Sequence, residues 1–235
     1  MTLVIGHKGA PGLAAENRVP SFAAAHQVGA QGVELDVRRV GDGHLAVWHD
    51  PVLPDGRVLL DTSWPEIAGA VDDLGAVLDA CAGFDLVNVE IKNWLYDSDF
   101  DESLGIADAV AGLLATRPSV ERAAYVVSCF HQPTIDRARK ALDGAAPEVA
   151  VGWLLWNVDD AADTVAQALA GGYGALHPHH TAVTSDLVAR AHDAGIRVNC
   201  WTSNDPDRIR WLADVGVDGI ITDEPALALE VLERG

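Results

Sequence analysis

Cysteine is scarce in this chain. Cys81, Cys129 and Cys200 are the only three among 235 residues, each in an apolar run and none in a Cys-x-x-Cys pair. That spacing excludes a thiolate zinc site and a disulfide framework, and reads as three reduced core thiols. Basic residues are also few: 16 Lys and Arg stand against 35 Asp and Glu, a formal charge of −19. Nucleic-acid binding needs cationic side chains to neutralise phosphates, so no nucleic acid is expected as a partner. The same deficit argues against stable membrane association on an anionic lipid surface. No apolar run approaches the ~20 residues of a membrane span. The start, MTLVIGHKG, lacks the basic region and cleavage site of a signal peptide, so a cytoplasmic protein is expected. Gly/Ser linkers, low-complexity tracts and breaks in composition are missing too, and one domain over 1–235 is the expectation.

What is present is ordinary for a globular protein, with 49% apolar and 22% charged residues. Short β-rich runs alternate with Ala-rich helical spacings from end to end. The runs predict strands at 3–5, 32–37, 86–91, 125–128, 149–155, 175–177, 197–201 and 219–222. Between them lie predicted helices at 21–28, 106–116, 134–142, 160–170, 186–194, 206–215 and 225–233. Gly29, Gly172, Gly195 and Gly216 each close a helical stretch just before an apolar run, as helix C-caps do. Eight strand–helix units predict an α/β fold of the (β/α)8 TIM barrel class. The competing open sheet would want a G-x-G-x-x-G turn, which GHKGAPG does not supply. The second unit is irregular: Leu45–Trp48 reads as an extra extended segment, followed by a loop and a helix near 74–82.

In such a barrel the chemistry sits where strands end. Strand GVELDV puts Glu34 and Asp36 two apart, on one face, while Val33, Leu35 and Val37 take the other. With the apolar face toward the outer helices, both carboxylates point into the barrel. There they cannot both stay ionised without a compensating charge. A divalent cation, Mg2+ or Ca2+, would supply it; an internal salt bridge to Lys or Arg is the plainer reading. Strand LVNVEIK repeats the logic, with Glu90 as a third ligand and Lys92 as a point charge for a phosphate oxygen. A simple Glu90–Lys92 ion pair is the alternative. His7 ends the first strand and His49 ends the Leu45–Trp48 run, which places two imidazoles beside the carboxylates as a general acid and a general base. An anionic substrate is repelled by the chain's overall charge, so a local cation would also serve to attract it. His177 and His179 are weaker candidates for lining the mouth. Trp201 is either an apolar wall beside an alcohol group or plain core packing. Asp223 reads as a cap on the last helix.

The order HKG…AEN…SF…GVELDV…DGHLAVWHD resembles the glycerophosphodiester phosphodiesterase family, whose signature is His-Arg-Gly, Glu-Asn, Glu-x-Asp and His-Asp. Later segments agree: DLGAVLDAC, VNVEIK, VSCF, AGIRVNCWTSND and GVDGIITDEP. The resemblance implies metal-dependent hydrolysis of a glycerophosphodiester, a small-molecule substrate, to glycerol 3-phosphate and an alcohol. It implies one divalent cation on Glu34, Asp36 and Glu90, and acid–base catalysis by His7 and His49 through a cyclic phosphate. It also implies a phosphate contact at Lys92 and supporting roles for Glu16 and Asn17. Three departures stand out. Lys8 replaces an arginine, exchanging a bidentate fork for one flexible charge on the phosphate. Arg18 stands where a threonine is usual and offers a compensating charge. The loop after His49 is short, so the insertion that shapes the glycerol pocket is reduced. Two other activities fit the scaffold: a sphingomyelinase-D-like or other phospholipase, and a non-catalytic phosphate- or polyol-binding barrel. Oligomeric state leaves no mark in the sequence.

Overall fold

The structure, a computed structural model, describes residues 1–233. Its strands, in chain order, are β1 (Leu3–Gly6), β2 (Gly32–Arg39), β3 (Leu45–Val47), β4 (Asp72–Asp73) and β5 (Leu86–Ile91), followed by β6 (Tyr125–Cys129), β7 (Ala150–Leu155), β8 (Ala175–Pro178), β9 (Arg197–Cys200) and β10 (Gly219–Thr222). Eight of them run parallel in the order β1-β2-β5-β6-β7-β8-β9-β10, and pairing of β10 with β1 closes the ring. Helices at 19–28, 74–80, 105–115, 132–143, 161–170, 185–193, 206–214 and 225–233 form the outer layer. This is the expected (β/α)8 barrel, with element ends displaced by one or two residues. The four glycines expected to end helices hold φ between +68° and +88°, a region where a Cβ is strained.

Strand alternation sorts the side chains as the period of two demands. Val33, Leu35, Val37, Val87, Val89 and Ile91 join the core between strands and helices. Ile5, Leu86, Val126 and Ile221 form a separate cluster inside the barrel. Above them the interior turns polar: Asn88, Ser128, His177 and Asn199 are all fully buried. Glycines make room for this layer. A Cβ on Gly152 would lie 2.8 Å from His177 Nε2, and one on Gly219 would lie 2.7 Å from Asn199 Oδ1.

The irregular second unit is an extension of β2. Beyond Val33 the β1 edge ends, and β3 pairs antiparallel with Val37–Arg39 while β5 still pairs on the other side. The extension rests on its own small core of Val40, Ala46, Leu53, Leu59, Ile67 and Val71. The free thiols Cys81, Cys129 and Cys200 are buried, as expected.

Substituting Gly152→Ala forces the new methyl against His177, so overpacking is expected to cost about 1–3 kcal/mol. Urea denaturation checks this: the midpoint falls, and an unchanged midpoint would mean that His177 moves aside freely.

Candidate active site

Three strand ends meet at the C-terminal mouth of the barrel. Asp36 and Glu90 are register partners on adjacent strands, and Glu34 lies one interior position below Asp36. All three are buried, with relative exposures of 2%, 1% and 9% for Glu34, Asp36 and Glu90. One oxygen from each lies within 4.8 Å of the other two. That separation suits oxygens sharing one Mg2+ or Ca2+ at 2.0–2.6 Å. Glu34 Oε1 is buried without a hydrogen-bond partner, so the set has a free donor atom aimed inward. Burial, and next the charge of Asp36, raise the Glu34 carboxyl well above the ordinary range. Burial works on Asp36 in the same direction, but the charges of Lys92, His49 and Lys8 outweigh it and hold Asp36 low. Hard oxygen donors, close spacing and an unsatisfied buried carboxylate all fit a divalent cation.

The surrounding groups fix these carboxylates. The chain passes through the left-handed region at Lys8 and Asn17, with φ of 54° and 57°. The first turn aims the Lys8 N–H at Glu34 Oε2, 3.0 Å away. The second lets Asn17 grip Asp36 twice: its Nδ2 donates to Oδ2 at 2.7 Å, and its Oδ1 accepts from the Asp36 N–H at 3.2 Å. Lys92 Nζ lies 2.7 Å from Glu90 Oε1 and 3.7 Å from Asp36 Oδ1. Burial disfavours its charge, but these carboxylates overcome that and hold it protonated. The Glu90–Lys92 ion pair is therefore present, and the carboxylate oxygens converge all the same. Lys8 Nζ reaches the exposed Glu16 at 3.3 Å, so that pair sits at the rim.

His7 and His49 flank the cluster. His7 Nδ1 lies 2.6 Å from Asp223 Oδ1, and its Nε2 lies 3.8 Å from Glu34 Oε2. Burial lowers the His7 pKa, but the Asp223 hydrogen bond and the charges of Glu34 and Asp36 prevail and raise it to about 9. His49 is delivered by the β2 extension: the Trp48 N–H donates to the Asp36 carbonyl at 3.0 Å. Its Nδ1 lies 2.6 Å from Asp50 Oδ1, and its Nε2 lies 3.4 Å from Lys92 Nζ.

Sequence reasoning missed two positioning groups. Asp223 does not act as a helix cap; it holds His7 and accepts from Asn204 Nδ2 at 2.6 Å. The second is Arg38, 2% exposed, which donates to the His49 carbonyl at 2.7 Å, Asp99 at 2.6 Å and Asp97 at 2.8 Å. Two further expectations fail. His177 lies inside the barrel with no exposure, and burial holds its pKa near 3, so it is a neutral core residue and does not line the mouth. Arg18 turns away from the site to Asp72, at 3.1 Å, and to the Ala70 carbonyl, so it does not replace the missing guanidinium. Trp201 stands at the mouth, its Nε1 donating to the His177 carbonyl at 2.7 Å.

Arg38→Met strands Asp99, which is nearly dry, and detaches the loop beneath His49. A loss of about 3–5 kcal/mol is expected from breaking a buried ion pair on one side. Denaturant titration reads it, and a loss below about 1 kcal/mol would contradict the buried clasp.

The glycerophosphoryl diester phosphodiesterase family is matched over residues 7–227. A glycerophosphodiester phosphodiesterase of Caldanaerobacter subterraneus subsp. tengcongensis is 29% identical, with 100% of this chain and 99% of the relative covered. Among solved structures, the glycerophosphodiester phosphodiesterase of Thermotoga maritima superposes with a TM-score of 0.79 at 26% identity, covering 98% of each chain. A phosphodiesterase of Oleispira antarctica, solved in complex with the product sn-glycerol-3-phosphate, has the same fold with a TM-score of 0.79 at 22% identity, covering 99% of this chain and 97% of its own. Barrel, motif order and full-length similarity together place the chain in the glycerophosphoryl diester phosphodiesterase family of phosphoric diester hydrolases.

Proposed function

We propose that the protein hydrolyses a glycerophosphodiester to glycerol 3-phosphate and an alcohol, using one divalent cation and the histidine pair His7 and His49. The observation that carries this reading is the meeting of three carboxylate oxygens within 4.8 Å between those two imidazoles. Relatives named for this activity, and the Oleispira enzyme's complex with sn-glycerol-3-phosphate, support it.

Glu34, Asp36 and Glu90 would hold the cation. When bound, it draws charge from the phosphoryl oxygens and acidifies a neighbouring hydroxyl. The protein's own groups divide the remaining work. Lys92, and Lys8 at the rim, hold the phosphate by charge, and Glu16 and Asn17 keep Lys8 and Asp36 in place. Asp50 accepts from His49 Nδ1–H, which leaves Nε2 as a lone pair, and the facing Lys92 ammonium is a donor. His49 is thus the base that takes the proton of the glycerol hydroxyl adjacent to the phosphate. Asp223 accepts from His7 Nδ1–H and favours the imidazolium, so His7 Nε2 delivers a proton to the departing alcohol. The hydroxyl oxygen bonds to phosphorus as the alcohol's P–O bond breaks, and a cyclic phosphate results. In the second half, His7 takes a proton from water, whose oxygen bonds to phosphorus as the ring P–O bond formed in the first half breaks, and His49 returns its proton to the departing glycerol oxygen, so both histidines regain their starting states.

Two outcomes test this. Glycerol 3-phosphate release from a panel of glycerophosphodiesters is expected to fall more than about 100-fold in EDTA, and to return with Mg2+ or Ca2+. His7→Ala and His49→Ala each lose roughly 10²–10⁴-fold in kcat. Tight substrate binding without turnover would instead mark a binding protein.

The second outcome concerns pH. A raised His7 pKa keeps its proton in place to higher pH, and a bound cation offsets the carboxylates' share but not that of Asp223. Asp223→Asn is therefore expected to shift the alkaline limb of kcat/KM down by about one unit. An unmoved limb would assign the essential acid to another group.

A further inference from the structure

Three neighbouring strands end together on the His7 side of the mouth. His7 follows β1, Asp223 follows β10, and Asn204 lies beyond β9. Backbone bonds hold these ends in register: the His7 N–H donates to the Thr222 carbonyl at 2.8 Å, and the Ser203 N–H to the Ile221 carbonyl at 3.0 Å. Asp223 stands just before the last helix, where a carboxylate ordinarily turns to the free N–H groups of the first turn. Instead both its oxygens are taken by side chains. Oδ1 meets His7 Nδ1 at 2.6 Å, and Oδ2 accepts from Asn204 Nδ2 at 2.6 Å. Asn204 is itself fixed, because its Oδ1 accepts from the Asp223 N–H and from the Thr222 hydroxyl, each at 2.9 Å. A backbone N–H can only donate, so the amide oxygen must face it and the NH2 must face the carboxylate. Thr222 is fully buried and accepts in turn from the Glu224 N–H at 3.1 Å.

Resting on the phosphodiesterase reading above, in which His7 protonates the leaving alcohol, we propose that Asn204 is a positioning residue for that step. By holding Asp223 Oδ2 it keeps Oδ1 on His7, and so sets where His7 Nε2 points. The Asp223 side chain is 38% exposed. A carboxylate that open turns easily about its Cβ–Cγ bond, a torsion with broad minima, unless both oxygens are engaged. His7 Nε2 lies 3.8 Å from Glu34 Oε2, at the edge of the carboxylate cluster, so a swing of the ring carries its proton away from the reacting oxygens. A misplacement of about 1 Å can cost about 100-fold in rate. The donors also keep Asp223 charged: His7 foremost, and Asn204 after it, outweigh burial and hold the carboxyl below its ordinary range. Asn204 is exposed, so water would serve its amide if Asp223 did not, and the fold does not depend on the bond.

Two variants separate the halves of the amide. Asn204→Ala removes the whole clamp. Asn204→Asp keeps an oxygen for the Asp223 N–H and Thr222 but sets a carboxylate against Asp223 Oδ2. In the Mg2+-loaded protein, kcat for the most rapidly cleaved glycerophosphodiester is expected to fall about 10- to 100-fold in both, with KM within about twofold of native. Proton NMR of protein carrying 15N-labelled histidine gives a readout independent of turnover. The His7 Nδ1–H, assigned by its loss in His7→Ala, moves upfield or broadens in both variants as its bond to Asp223 loosens. The His49 Nδ1–H, bonded to Asp50 at 2.6 Å, stays in place as the internal reference. An unmoved His7 resonance in both variants would overturn the proposal. So would native kcat in Asn204→Asp, which would leave Asn204 only the structural contacts of its oxygen. A raised KM with kcat intact would overturn it too, by making Asn204 a substrate contact. A displaced His7 resonance, in a protein whose native form turns over no diester, would refute the phosphodiesterase reading and leave the clamp standing. Native turnover with an unmoved resonance would do the reverse.

Discussion

Three buried carboxylates share the barrel's mouth, and the site is arranged around the repulsion among them. Two buried like charges a few ångströms apart cannot both persist at neutral pH without opposite charge beside them. Lys92 meets part of this need from one side, against Glu90 and Asp36. Asn17 and the Lys8 N–H add donors. Glu34 is left with a buried oxygen that nothing satisfies. The three oxygens lie within 4.8 Å of one another, a spacing that a shared divalent cation would fit.

The barrel supplies rigidity, and its one irregularity supplies the second histidine. A regular strand would have ended near Val37; instead β2 continues to Arg39 and recruits β3 to its vacated edge. That detour sets His49 beside Asp36 and Lys92, and Arg38 fastens it from within. The Arg38 clasp also ties down the loop from Asp97 to Asp99, just after Trp94, so His49 and Trp94 share a single anchor. Below the mouth, His177 and Asn199 fill space opened by Gly152 and Gly219. A polar floor of that kind keeps the carboxylates above from facing a purely apolar interior.

The fold was legible because its signals are local. Alternation in GVELDV and LVNVEIK put acidic residues inside and valines outside, and the barrel obeys that pattern. Helix-ending glycines carried the strand–helix beat, and all four are where expected. What escaped was long-range. Asp223 meets His7 across 216 residues, and no spacing rule links them, so its position before a helix read as a cap. Arg38 drew no reading from the sequence because its partners lie some sixty positions away in a loop without periodicity. His177 was misplaced by a single layer: β8 continues to Pro178, which leaves the imidazole within the barrel instead of at its lip. Arg18 carried charge near the signature in sequence, but a helix start turned it toward Asp72. Of the aromatic rings at the mouth, Trp201 and His179 were legible in the sequence, whereas Trp94 and Trp156 lie in loops where residue identity gives no direction.

Seating of one divalent cation by Glu34, Asp36 and Glu90, as proposed, would tie the stability of the fold to metal concentration. Thermal unfolding in EDTA and in increasing Mg2+ or Ca2+ measures this most directly, because a ligand bound only by the native state raises stability with its concentration. A midpoint that climbs with metal in the native protein, and does so far less in Glu34→Gln, is the result predicted. Identical midpoints in chelator and in millimolar metal would contradict it, and would mean that Lys92 and the surrounding hydrogen bonds already balance the three carboxylates.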